Sequence, residues 1–68
     1  METNEIIQKL KQVRINSKIS QEELAEKVGV TRQTIRNWEN GDYIPNVTEL
    51  IKLCNVLKIK ITIREKKQ

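Results

Sequence analysis

Residues Ser20 to Gly41 read SQEELAEKVGVTRQTIRNWENG, and this stretch decides the fold. Ser20 followed three residues later by Glu23 is a capping box, so a helix is predicted from Gln21 to about Lys27, with Leu24, Ala25 and Val28 turned inward. Gly29 permits the left-handed backbone that stops this helix and turns the chain. Thr31 can cap a second helix predicted over Arg32 to about Glu39, with Ile35 and Trp38 on its inner face. Arg32, Gln33, Arg36 and Asn37 occupy the outer face. Two short helices joined by a tight turn are mainly a device for presenting the second one to a groove of DNA.

Upstream, Ile6, Ile7, Leu10 and Val13 recur at spacings of three and four, which predicts a helix from Thr3 or Asn4 to about Asn16. Arg14 falls in one row with Ile7 and Leu10, so its guanidinium points toward the core edge. There it needs a carboxylate, because an unpaired buried charge costs several kcal/mol, or else it must reach water along its stem. Glu39, one turn beyond Ile35 on the apolar side of its helix, is the natural partner.

Downstream, Asp42-Tyr43-Ile44-Pro45 reads as irregular chain, and Asn46 with Glu49 is another capping box. A fourth helix is therefore predicted over about Val47 to Leu57, burying Leu50, Leu53, Cys54 and Leu57. From Lys58 the period drops from about 3.6 to about 2, with Ile59, Ile61 and Ile63 alternating against Lys60, Thr62 and Arg64. That is the pattern of a strand, yet no other segment offers it a partner. A lone strand with three isoleucines on one face is unstable in a monomer, so the economical solution is antiparallel pairing with the same strand of a second copy. The alternatives are a further helix that the periodicity misreads, or an edge that receives a different protein. The division expected is a DNA-binding domain over 1–57 and a dimerisation strand with a solvated tail over 58–68.

With 68 residues the chain buries only about 60% of its unfolded surface, which also argues for a second copy. The net charge is +4, and residues 1–30 contribute none of it: five Lys/Arg there balance five Glu. All the excess follows the turn, on the side where a polyanion would be met. The chain has no histidine and one cysteine, so no internal disulfide and no zinc site of the usual ligand types is expected, and no cofactor. Cys54, with no histidine to activate it, reads as a small core hydrophobe. No Ser or Cys stands beside a plausible base and no glycine-rich phosphate loop is present, so an enzyme is not expected. METNEIIQKL lacks a basic and then long apolar leader, and no run approaches the ~18 apolar residues of a membrane span, so a cytoplasmic protein is expected.

Base reading falls to the outer face of the third helix. Arginine forks onto guanine O6 and N7, and glutamine or asparagine can pair with adenine N6 and N7, which assigns base contacts to Arg32, Gln33 and Asn37. Arg36 reaches either a base or a phosphate. The bland alternative is a solvated face like that of any surface helix. Phosphate contacts are expected from Ser20, Gln21, Thr31 and Asn40 around the groove, with Tyr43 either joining them or packing on the core.

Gln21-Glu22-Glu23-Leu24-Ala25, Gly29-Val30-Thr31, Ile35 and Trp38-Glu39-Asn40-Gly41, then Pro45 and the Leu50/Leu53/Leu57 row, resemble the lambda-repressor/Cro-type (xenobiotic-response-element) helix-turn-helix family over about residues 4–57. The resemblance implies a phosphate contact at Gln21, base reading at Arg32, Gln33 and Asn37, and a buried ion pair between Arg14 and Glu39. Many members continue into a fifth helix, whereas a strand follows Leu57 here. That end is similar to HipB-like regulators, whose C-terminal strands pair across the dimer and some of which are antitoxins that hold a toxin kinase. The reading is thus a mainly α, four-helix domain with a C-terminal strand, a dimeric repressor binding double-stranded DNA at a palindromic operator. An antitoxin that also binds a toxin protein is the alternative, followed by other regulators such as restriction controllers and by a protein-binding module.

Overall fold

A computed structural model describes residues 3–58 and shows four helices. They are α1 (Thr3–Asn16), α2 (Gln21–Val28), α3 (Arg32–Asn40) and α4 (Val47–Leu57). Their boundaries follow local chemistry. Ser20 Oγ accepts from Glu23 N at 3.0 Å while Glu23 Oε1 accepts from Ser20 N at 3.1 Å, so two of the N–H groups at the start of α2 are satisfied reciprocally. Asn46 and Glu49 repeat this at α4, both bonds at 2.8 Å. Thr31 Oγ1 accepts from Thr34 N at 3.1 Å and starts α3. Gly29 at φ +89° and Gly41 at φ +85° end α2 and α3 in the left-handed region. Lys18 at φ +60° and Lys58 at φ +59° adopt the same region without being glycine.

α2 packs on α3 and α4, and α1 closes the other side against α3 and α4. Leu24 of α2 and Ile35 of α3 are the largest fully buried side chains and stand at the centre. Around them lie Ile7 and Leu10 of α1, Trp38 of α3, and Leu53, Cys54 and Leu57 of α4. Trp38 is core, as its place beside Ile35 implies. Leu50, expected in the buried row, is only half-buried. It stands in the first turn of α4, next to the loop, and packs against the edge of the core. Ile6 and Val13 likewise flank the core rather than fill it.

Three apolar side chains around α4 stay largely in water: Ile44 at 74% exposure, Val47 at 71% and Ile51 at 56%. Among the described residues no helix is long and apolar enough to cross a membrane. The strand expected at Ile59, Ile61 and Ile63 lies outside the described residues.

Candidate nucleic-acid interface

The site begins with how α3 is held. Glu39, near its C-terminal end, is buried at 7% exposure and faces Arg14 of α1, itself at 9%. Arg14 Nε donates to Glu39 Oε2 at 2.7 Å and Arg14 Nη2 donates to Glu39 Oε1 at 3.0 Å, a two-pronged bond that fixes orientation as well as distance. Arg14 Nη1 donates to the Ile19 carbonyl at 2.8 Å, so the same guanidinium braces the loop before α2. Gln21 Nε2 donates to Glu39 Oε1 at 3.0 Å, and Gln8 Nε2 donates to the Glu39 backbone carbonyl at 3.2 Å. One glutamate therefore joins α1, the start of α2 and the end of α3. No buried side-chain nitrogen or oxygen among the described residues lacks a partner.

Held at this end, α3 turns Arg32, Gln33 and Arg36 to solvent, with Asn37 half-buried beside them. Arg32 and Gln33 stand in the first turn, directly after the Thr31 cap. Neither Arg32 nor Arg36 has a carboxylate partner among the described residues, which leaves both guanidinium groups available to an anion or a base edge. Gln33 Nε2 donates to Asn37 Oδ1 at 3.0 Å.

Of the residues proposed for phosphate contacts, Ser20 and Thr31 are exposed at the starts of α2 and α3, although both side chains serve as caps. Thr31 Oγ1 is also 2.9 Å from Thr34 Oγ1. Gln21 is half-buried and committed to Glu39 through one N–H, which leaves its second N–H and its carbonyl free. Asn40 is exposed one residue after Glu39, so the Glu39 hub gathers Gln21 and Asn40 at one end of α3 while Thr31 marks the other. Tyr43 is 65% exposed, so its ring does not pack on the core. Its backbone N–H donates to the Asn37 carbonyl at 3.4 Å, which keeps the loop close to the end of α3.

Sequence reasoning missed Gln8, the bond from Gln21 to Glu39 and the bond from Gln33 to Asn37. The last carried a signal, since two amides four apart on a helix are within reach of one another. The first two join residues far apart in the chain and carried none.

The helix-turn-helix family profile matches residues 10–63. The chain belongs to the Cro/C1-type helix-turn-helix family. Among its relatives, the uncharacterized HTH-type transcriptional regulator YgzD of Bacillus subtilis is 43% identical over 53 residues, covering 78% of this chain and 80% of the relative. A second uncharacterized HTH-type transcriptional regulator, from Methanocaldococcus jannaschii, is 42% identical over 53 residues, with the same coverage of 78% and 80%. The HTH-type transcriptional activator BcrR of Enterococcus faecalis is 44% identical over 61 residues, 90% of this chain but 28% of BcrR. Among solved structures, HipB in a HipA-HipB-O2-O3 complex superposes with a TM-score of 0.83 at 28% identity, covering 98% of this chain and 94% of that one.

Proposed function

We infer that this helix-turn-helix protein is a DNA-binding transcriptional regulator, and that it works as a dimeric repressor. The observation that carries the reading is the outer face of α3: Arg32, Gln33 and Arg36 stand clear of the fold, while Glu39 on the opposite side locks the helix in place. Arg32 and Gln33 read base edges in the major groove, with Asn37 one turn beyond Gln33 on the same face, and Arg36 reaches a base or a phosphate. Ser20, Gln21, Thr31, Asn40 and Tyr43 fix the register on the backbone. The protein acts by occupying DNA rather than by catalysis.

Residues 1–57 form the DNA-binding unit, and 58–68 supply a strand and tail. Ile59, Ile61 and Ile63 line one face of that strand, which pairs antiparallel with its counterpart about a two-fold axis. The exposed Ile44, Val47 and Ile51 support this, since a second copy gives such apolar surface something to cover it. Two copies then place two α3 helices in successive major grooves, about 34 Å apart, on a palindromic operator. Selection from random duplexes, followed by binding titrations and sedimentation, tests the whole reading. A palindromic motif bound by a dimer is expected, and deleting residues 58–68 should leave a monomer that binds the full site poorly. An unchanged sedimentation mass after the deletion refutes the ribbon.

A second reading is favoured by the likeness to HipB in its complex with HipA: an antitoxin that binds both its own operator and a toxin protein. A pull-down from the native host separates the two. A stoichiometric protein partner favours the antitoxin, and its absence favours the plain repressor.

A further inference from the structure

Gln33 and Asn37 stand one turn apart on α3 and form a unit, because Gln33 Nε2 donates to Asn37 Oδ1 at 3.0 Å. Asn37 is the better anchored of the two. It is half-buried where Gln33 is exposed, and its backbone carbonyl accepts from Asp42 N at 2.9 Å and Tyr43 N at 3.4 Å. Gln33 is therefore the arm and Asn37 the bracket.

The bond changes what Gln33 can offer. A primary amide has two N–H donors and one carbonyl acceptor. With one N–H given to Asn37, Gln33 keeps one donor and one acceptor. In the major groove adenine shows one acceptor, N7, and one donor, N6, whereas guanine shows two acceptors, N7 and O6. A free glutamine can satisfy guanine by donating twice from its nitrogen. One held by Asn37 cannot, and would set its carbonyl lone pairs against a guanine acceptor. Keeping the bond is favoured in the groove, because breaking it there would leave Asn37 Oδ1 without a donor in a place that water has left.

We propose that Asn37, by holding one N–H of Gln33, makes Gln33 select adenine over guanine at the base pair it meets, so that Asn37 is a positioning residue and Gln33 the reader. This rests on the DNA-reading role of α3 given above, and it replaces a direct base contact by Asn37.

The test uses the full chain. Operators are selected from random duplexes, and affinities are then measured for adenine and guanine at the position whose preference Gln33→Ala erases. The wild type should favour adenine about tenfold or more. Asn37→Ala should lose most of that ratio at the same position. Asn37→Asp keeps an acceptor for the Gln33 N–H, so it should bind more weakly overall, through repulsion from phosphates, yet preserve the ratio. Equal loss on both operators with Asn37→Ala, the ratio unchanged, would reduce Asn37 to a structural role and overturn the proposal. So would a change of preference at a different base pair, which would make Asn37 a reader itself. A clear wild-type motif with guanine at the Gln33 position removes the proposal alone, whereas no enriched motif removes the DNA-binding reading along with it.

Discussion

Gln21, the first residue of α2, donates its side-chain amide to the carboxylate of Glu39 at the far end of α3, at 3.0 Å. The same carboxylate oxygen also accepts from Arg14 Nη2 at 3.0 Å. The residue proposed to grip a phosphate and the ion pair that anchors the reading helix thus share one atom. Disturbing the pair should therefore loosen the DNA contact as well as the fold.

The ion pair makes the first prediction. Glu39→Ala leaves the Arg14 guanidinium buried without its carboxylate, and breaking such a pair from one side costs about 3–5 kcal/mol. Most of the stability of so small a domain would go, and urea unfolding should show it as a large fall in midpoint. Replacing both residues, Arg14→Met with Glu39→Met, removes the stranded charge and should recover most of the loss. A double variant no more stable than Glu39→Ala would mean that the charge is not what the single change exposes.

Two residues on the proposed interface should fail differently. Arg32→Ala removes a base contact, so it should relax preference at one base pair per half-site and cost about 1–3 kcal/mol for each. Asn40→Ala removes a phosphate contact, so it should weaken operator and random DNA by similar factors. Titrations of both variants on both duplexes check this. Equal loss for Arg32→Ala on operator and random DNA would count against its reading role.

Backbone conformation supplies a third prediction. A Cβ added at Gly29 would meet nothing within 4 Å, so the cost of Gly29→Ala lies in holding φ at +89° and should be about 1–2 kcal/mol. Lys18, at φ +60°, already bears such a cost. Lys18→Gly relieves it, offset in part by the extra freedom glycine gives the unfolded chain, for a net gain of about 0.5 kcal/mol. Thermal melts should move in opposite directions for the two variants, and a lower Tm for Lys18→Gly would contradict the argument.

Cys54 is buried at 7% exposure, and burial pushes its thiol above the ordinary value. The native state then holds its proton more tightly than the unfolded chain does. The stability linked to this thiol is fully present below the ordinary thiol range and declines as pH rises through the raised native value, by up to about 1.4 kcal/mol per pH unit for one proton. Denaturant midpoints between pH 7 and pH 10 should fall less steeply for Cys54→Ala than for the parent, and a thiol reagent should label native protein more slowly than unfolded protein.

Most of the helix boundaries were legible because they rest on chemistry confined to four or five residues. Ser20 with Glu23, Asn46 with Glu49, and the left-handed glycine at 29 each set an end without reference to the rest of the chain. Arg14 and Glu39 were legible for a different reason: an arginine in an apolar row leaves few ways to satisfy its charge. Leu50 does face the core but is only half-buried, because periodicity says which way a side chain points and not how much of it is covered. The tie from Gln21 to Glu39 spans two helices, and only their packing creates it. The exposed polar face of α3 was nameable from helical spacing, but the bond that couples Gln33 to Asn37 depends on the rotamers the two amides adopt.

The placement of the Glu39 hub on the protected side of α3 separates mounting from message. Nothing among the bonds that secure this helix to α1 and α2 passes through Arg32, Gln33 or Arg36. Its outer letters are in that sense interchangeable type set in a fixed frame. On the proposed base-reading role, new target sequences can be sought by rewriting those positions without recasting the scaffold.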